Sequence, residues 1–237
     1  SAISGKDEMA LTQLQQQQPE AYAELGKIAE LFPSDMQESD IGGIPEGWKL
    51  STIEDTYKVV MGQSPKGDTY NENKHGVLFY QGRSEFGWRY PSPRLYTTAP
   101  KKMAEKGDVL MSVRAPVGDL NIALEECCIG RGLSALRHKS GSTTFSYYQL
   151  KELQSQLDKF NGEGTIFGSI NQNDLRSLQV VCPYQPIIDK YIAKISKVDQ
   201  QIENLEFEIL SLVSVRDTLL PKLLSGEIEL DITGARS

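Results

Sequence analysis

From residue 186 the sequence reads PIIDKYIAKISKVDQQIENLEFEILSLVSVRDTLLPKLLSG, and this stretch constrains the fold more than any other. Ile188, Ile195, Ile202, Ile209, Arg216 and Leu223 fall at one heptad position. Tyr191, Val198, Leu205, Leu212 and Leu219 fall at its partner, with the spacing alternating without a break. β-Branched residues at the first position and leucine at the second form the pattern of a coiled-coil seam. A helix over 187–220 would run roughly 50 Å at 1.5 Å per residue. A domain made from the rest of the chain cannot cover such a seam, so the pattern predicts pairing with a second helix, from another copy or a partner; folding back onto its own domain is the alternative. Arg216 is a polar residue at a core position, suited to setting register. Pro221 is expected to kink or end the helix, and Ser225-Gly226 to close it.

The remainder divides in two. Residues 1–43 are polar and helical in tendency. Leu25, Ile28, Ala29 and Phe32 recur at helical spacing before Pro33, and SDMQESDIGGIPEGW reads as a linker broken by Gly42, Gly43 and Pro45. Residues 44–183 are mixed. GVLFYQG (76–82), DVLMSV (108–113), DLNIAL (119–124), CCIGRGLSALRH (127–138) and SLQVVCP (177–183) read as short strands. One helix is expected in TTFSYYQLKELQSQLDKF, where Phe145, Tyr148, Leu153, Leu157 and Phe160 share a face. The fold class that follows is α+β: a compact, twisted, mostly antiparallel sheet domain over 44–183, then a long coiled-coil helix and tail over 184–237.

The net charge of −7 argues against nucleic acid until its distribution is considered. Residues 1–43 hold 2 Lys/Arg against 8 Asp/Glu, and residues 184–237 hold 6 against 9. Residues 58–114 hold 10 against 5. The acidity sits in the flanks, and the body carries a basic excess compatible with a DNA-binding surface. The N-terminal SAISGKDEMALTQ lacks a basic run followed by an apolar one and does not read as a secretory signal. Cys127, Cys128 and Cys182 have neither zinc-knuckle nor disulfide-framework spacing; they read as small core side chains in a reducing cytoplasm.

The search for catalytic chemistry is mostly negative. NGEGTIFGSINQN (161–173) is glycine-rich, but no pair of its glycines has P-loop spacing and no lysine follows. It also misses the dinucleotide spacing. His75 and His138 are the two histidines, neither at metal-ligand spacing with a Cys or carboxylate. No GxSxG elbow occurs, and the Glu125-Glu126 pair reads as a solvated strand end. No metal site is expected, and nothing assembles a nucleophile, a base and an orienting acid.

What stands out is a basic, aromatic body with glycine-punctuated loops. MGQSPKGDTYNE (61–72) presents Gln63, Ser64 and Lys66 from a turn, types that suit phosphate oxygens and base edges, although such stretches are commonly plain turns. YQGRSEFGWRYPSPR (80–94) offers Gln81, Arg83, Trp88, Arg89, Tyr90 and Arg94. Arginine can bond guanine bidentately and glutamine adenine; the competing role is a set of solvated arginines around a half-buried aromatic cluster. Arg114 and Arg131 sit at strand–turn junctions, either facing a ligand or bracing the loops.

The order IPEGWKLSTIED, MGQSPKGDTYNE, GDVLMSVRAPVGDLNIA, CIGRGLSAL, GTIFGSINQNDLRSLQVVCP, a long heptad helix and LLPKLLSGEIEL resembles the specificity subunit of type I restriction–modification enzymes over residues 44–230. The resemblance implies a DNA target recognition domain followed by a conserved spacer helix. Members carry two of each, with the helices pairing antiparallel, and each recognition domain reads one half of a split double-stranded DNA sequence. This chain carries one of each. It is either the C-terminal half of a longer subunit or a half-subunit that dimerises to read a symmetric site. The resemblance further implies a non-catalytic protein. S-adenosylmethionine is expected on modification (methyltransferase) subunits, and ATP and Mg2+ on the partner subunits of the complex, which includes a restriction subunit. The loop before NQNDLRSL closes the recognition domain, with Ser169 or Asn171 as N-cap; Ser169 and the helix-start amides are candidate phosphate contacts, a purely structural loop being the alternative. The competing function is a non-enzymatic coiled-coil assembly protein that binds other proteins. An enzyme with an unrecognised site ranks behind both.

Overall fold

A computed structural model describes residues 5–162 and 168–228. Two compact units emerge, Ser1–Ala193 and Lys194–Ser237. The first holds all the strands, and the sheet domain is twisted and mostly antiparallel, as the strand-rich pattern predicts.

A four-stranded antiparallel sheet runs in the order Leu120–Ile122, Val109–Ser112, Leu133–His138, Tyr57–Met61. A five-stranded sheet runs Tyr70–Asn71, Leu95–Thr97, Val77–Tyr80, Cys127–Ile129, Met103–Ala104, with one parallel pair between Val77–Tyr80 and Cys127–Ile129. The four-stranded sheet is buried on both faces, and its alternation shows how. Val109, Met111 and Leu136 face a core with Leu150, Leu153, Leu157 and Leu175 of the helical side. Leu110, Leu133 and Ala135 face a second core with Leu78, Tyr80, Cys127 and Ile129 of the other sheet. Each fully buried Leu contributes about 1.5–3 kcal/mol of apolar transfer. A one-residue slip would exchange the two faces, so the register is strongly specified.

CCIGRGLSALRH, expected as one strand, is two. Cys127–Ile129 belongs to the five-stranded sheet and Leu133–His138 to the four-stranded one, and Gly130, Arg131 and Gly132 carry the chain between them. The helix expected over 143–160 is also divided. Thr143–Lys151, capped by the Ser142 hydroxyl (Phe145 N donates, 3.1 Å), is followed by Gln154–Leu157 and a 3-10 turn at Asp158–Phe160. At the break Glu152 N and Leu153 N bond three residues back, to Gln149 O and Leu150 O (3.2 and 3.1 Å). This tighter turn leaves Leu150, Leu153 and Leu157 all facing the core.

Lys49–Thr52 pairs antiparallel with Gln179–Cys182, and Met36–Gln37 with Ile44–Pro45. Lys49–Thr52, Met36–Gln37, Ile44–Pro45 and Tyr57–Met61 escape periodicity because each is brief and mixed in composition, whereas Gln179–Cys182 is the strand expected in SLQVVCP. The lead-in forms two helices, Glu8–Gln17 and Pro19–Ala29, the second opening on proline at its first turn.

The long helix spans Gln185–Leu224. Pro221 lies inside its last turn rather than at its end. A proline there forfeits one hydrogen bond near a terminus already short of partners, and Gly226 then closes the element at φ 74°, with its N–H on Leu223 O (3.2 Å). The first turns belong to the sheet domain. Ile188 is buried there, and Tyr191 packs edge-on to Phe145 and Tyr148 at 6.5 and 6.0 Å. These two residues were expected on the coiled-coil seam; their side chains serve the body instead. In the second unit Val198, Leu205, Ile209, Leu212 and Leu219 are exposed, and Ile195 and Ile202 are half-buried.

Candidate nucleic-acid interface

The two sheets meet where several strands end, and four segments from distant parts of the chain are tied together there by backbone. Gly62 N donates to Leu133 O and Gln63 N to Ile129 O, both at 2.9 Å. Gly130 N donates to Tyr80 O (2.8 Å), and Val113 N to Gly132 O (2.9 Å). Arg131 N donates to the Ser64 hydroxyl at 3.2 Å. Glycine is required for this approach. A Cβ on Gly62 would strike the Gly130 carbonyl, and one on Gly130 would lie 2.5 Å from Gln81 O.

Side chains attached to these crossed backbones converge. Ser64, Gln81, Arg83, Arg114 and Arg131 line one cleft of about 360 Å3. Gln63 is exposed on the same loop as Ser64. Ser169 bridges Arg114 through backbone, with Ala115 N on Gly168 O (2.9 Å) and Ile170 N on Val113 O (3.0 Å). Arg83 forms an ion pair with Asp119, which orients its guanidinium while leaving the side chain half-exposed. Three arginines and two amide or hydroxyl side chains in one open cleft can bond phosphate oxygens and base edges at once.

Besides Gln63 and Ser169, which flank the cleft, three proposed contacts lie outside its lining. Lys66 is exposed on the same loop, and its carbonyl holds the following 3-10 turn through Thr69 N (3.1 Å). Arg94 pairs with Glu72 and with buried Glu85 (3.3 and 3.4 Å). Arg89 faces inward. It is only 4% exposed, its guanidinium sits 4.5 Å from the Tyr147 ring centroid and 5.3 Å from that of Tyr148, and Nη1 donates to the Tyr148 hydroxyl at 3.2 Å. An arginine so placed pins the loop from inside.

Within 161–173, residues 163–167 lie outside the described residues. Asn171, not Ser169, is the N-cap of Gln172–Ser177: its side chain accepts from Asn173 N and Asp174 N at 2.9 and 3.0 Å. Those two amides are thereby used within the chain.

A second hollow of about 480 Å3 shares Arg83 and is lined by Trp88, Asp119 and Asn121. Sequence reasoning did not single out Asp119 or Asn121. Neither carries a local signal, because each acquires its place by pairing across strands. The buried groups nearby are held neutral. Burial pushes the Tyr80 phenol well up from its ordinary value, and burial, then Cys128 and neighbouring acids, does the same to the Cys127 thiol. Among the described residues no group of three His, Cys, Asp or Glu side chains is placed to hold a metal ion, and no helix is long and apolar enough to cross a membrane.

The family model of the type I restriction modification DNA specificity domain matches residues 45–213. The chain belongs to this family. A Methanocaldococcus jannaschii protein assigned as the MjaX type I restriction enzyme specificity subunit is 37% identical over 218 residues, covering 87% of this chain and 51% of that protein. The HindI specificity subunit of Haemophilus influenzae is 28% identical over 250 residues, covering 96% and 53%. The crystal structure of the HsdS subunit from Thermoanaerobacter tengcongensis superposes with a TM-score of 0.57 at 31% identity, over 93% of this chain and 54% of that one. This specificity-family chain thus spans about half the length of the relatives it matches.

Proposed function

We propose that this chain is a sequence-specific DNA-binding specificity subunit, or half of one, in a type I restriction–modification complex. Residues 44–183 read one half of a bipartite double-stranded target, residues 184–237 form the spacer helix and tail, and residues 1–43 lead in. The seam from Ile195 to Leu219 pairs as a coiled coil with a second recognition half, from the same longer chain or a second copy. Modification subunits dock on this assembly and carry S-adenosylmethionine. A restriction subunit joins the full cytoplasmic complex, whose ATP and Mg2+ sit on the partners. The observation that carries the reading is the convergence of Ser64, Gln81, Arg83, Arg114 and Arg131 in one open cleft.

Selection from a randomised duplex library, with the cognate modification subunit present, tests it. The expected result is an enriched half-site motif, with binding that weakens steeply with salt. Arg114→Ala or Arg131→Ala should reduce the salt slope by about one if the arginine holds phosphate, or cost about 1–3 kcal/mol at one base position if it reads an edge. Capture of the modification subunit with no enrichment of any sequence would leave a protein-assembly role in place of this one.

A further inference from the structure

Trp88 is 79% exposed, whereas Arg89 and Tyr90 that follow it and Glu85 of the same loop are each 5% exposed or less. The loop is fixed on every side of it. The Asn121 side chain, itself buried, accepts from Gly87 N (3.0 Å) and donates to Gly87 O (3.1 Å). Gly87 N also approaches Tyr90 O (3.2 Å), and Phe86 and Pro91 form a β-bridge. Ile122 N donates to Arg89 O (2.9 Å), and the Arg89 side chain is stacked inside on Tyr147 and Tyr148. A floppy surface loop that failed to bury its tryptophan would show none of this anchoring. The rigid loop holds one large apolar side chain in water, at the cost of the transfer free energy its burial would give.

The place of this indole points to its partner. The hollow it lines also contains Arg83, and Arg83 lines the cleft with Gln81, Arg114 and Arg131. The aromatic surface is therefore continuous with a cluster of arginines. That combination suits duplex DNA, whose grooves expose apolar sugar faces and thymine methyl groups between charged phosphates.

We propose that Trp88 is a DNA-contacting residue, a rigidly presented apolar side chain that packs on the sugars and thymine methyl groups of a duplex groove beside the group held by Arg83. This rests on the function proposed above. The Asn121 amide acts as a positioning residue that sets the indole's angle through Gly87.

Trp48 and Trp88 are the two tryptophans of this chain, so the difference in indole emission between the parent and Trp88→Phe complexes reads the contact. The full chain with its modification subunit is titrated with a randomised 30-bp duplex carrying a fluorescent label; label anisotropy reports binding and tryptophan emission reports the Trp88 contact. The expected result is emission quenched on binding in the parent and not in Trp88→Phe. Trp88→Ala should weaken binding on the order of tenfold. Its salt slope should match the parent's, since no charge is lost, and so should its melting temperature. Parent binding with unchanged emission and an unimpaired Trp88→Ala variant overturns the Trp88 contact while leaving the cleft reading intact. Absence of parent binding overturns both. Quenching by the modification subunit alone, with no further change on adding DNA, overturns the DNA assignment in favour of a protein contact.

Discussion

Arg83 and Arg89 are six residues apart, and the structure gives them opposite placements, half-exposed and buried, which their alanine variants should separate. Arg89 is buried, faces two tyrosine rings and donates to the Tyr148 hydroxyl. A desolvated cation–π contact is worth about 2 kcal/mol and a hydrogen bond from a charged donor about 1.5–3 kcal/mol. These overlap at Tyr148, so the summed loss is taken as about 3 kcal/mol. For a protein of this size each kcal/mol moves the melting temperature by about 2–4 °C, giving a drop of roughly 6–12 °C for Arg89→Ala. Arg83 forms one ion pair with both partners partly exposed, worth about 0–1 kcal/mol, so Arg83→Ala should melt within a few degrees of the parent. Thermal denaturation followed by circular dichroism reads the first difference, and duplex binding well below either melting point reads the second. Arg83→Ala should lose affinity at constant stability. If instead Arg89→Ala kept its melting temperature and lost DNA binding, the arginine would be acting at the interface and its inward anchoring role would be refuted.

The seam gives a second contrast. Leu205→Asp with Leu212→Asp, both on exposed positions, should abolish self-association or partner pairing by light scattering and leave the body's melting unchanged, whereas Ile188→Asp buries a charge in the body and should unfold it. Gly130→Ala places a methyl 2.5 Å from Gln81 O and should cost both stability and DNA affinity, because Gln81 and Arg131 are carried on the displaced segments. Burial, and then the nearby Lys139 charge, hold the His138 imidazole below its ordinary pKa. The unfolded chain therefore takes up the proton first as pH falls through about 6.5, so stability declines on the acid side of that value and levels off below the folded pKa. His138→Phe, between the Tyr57 and Phe145 rings, should flatten that part of the stability profile in chemical denaturation at stepped pH.

Local chemistry was enough for what depends on neighbours in sequence. The heptads specify the long helix because residues three and four apart share its face whatever surrounds it. The strands at Val77–Tyr80, Val109–Ser112 and Gln179–Cys182 follow from compact apolar runs between breakers. The cysteines fall in apolar segments, and all three are free, Cys127 and Cys128 buried and Cys182 partly so. The polar residue types of the cleft and its loop were likewise readable: Gln63, Gln81, Arg83 and Arg131 stand beside glycines, and Ser64 and Arg114 lie in turns ahead of prolines. Which of the arginines point outward was not readable. Arg83 and Arg89 occupy similar sequence surroundings, and only the packing of Tyr147 and Tyr148, some sixty residues on, turns one of them inward. Pro221 escaped for a related reason, since a helix near its own end has little left for a proline to break.

The sequence by itself determined that this chain would hold a strand-rich body and a helix with an apolar seam, because hydrophobic periodicity and turn chemistry act over a few residues. The tertiary structure decided where that body ends and where its cleft lies. Ile188 and Tyr191 satisfy the heptad pattern but find partners in the sheet domain, since burial goes to whichever apolar surface lies within reach. The cleft exists because Gly62 and Gly130 let separate backbones approach more closely than any side chain permits, a contact between segments up to seventy residues apart that no local pattern encodes.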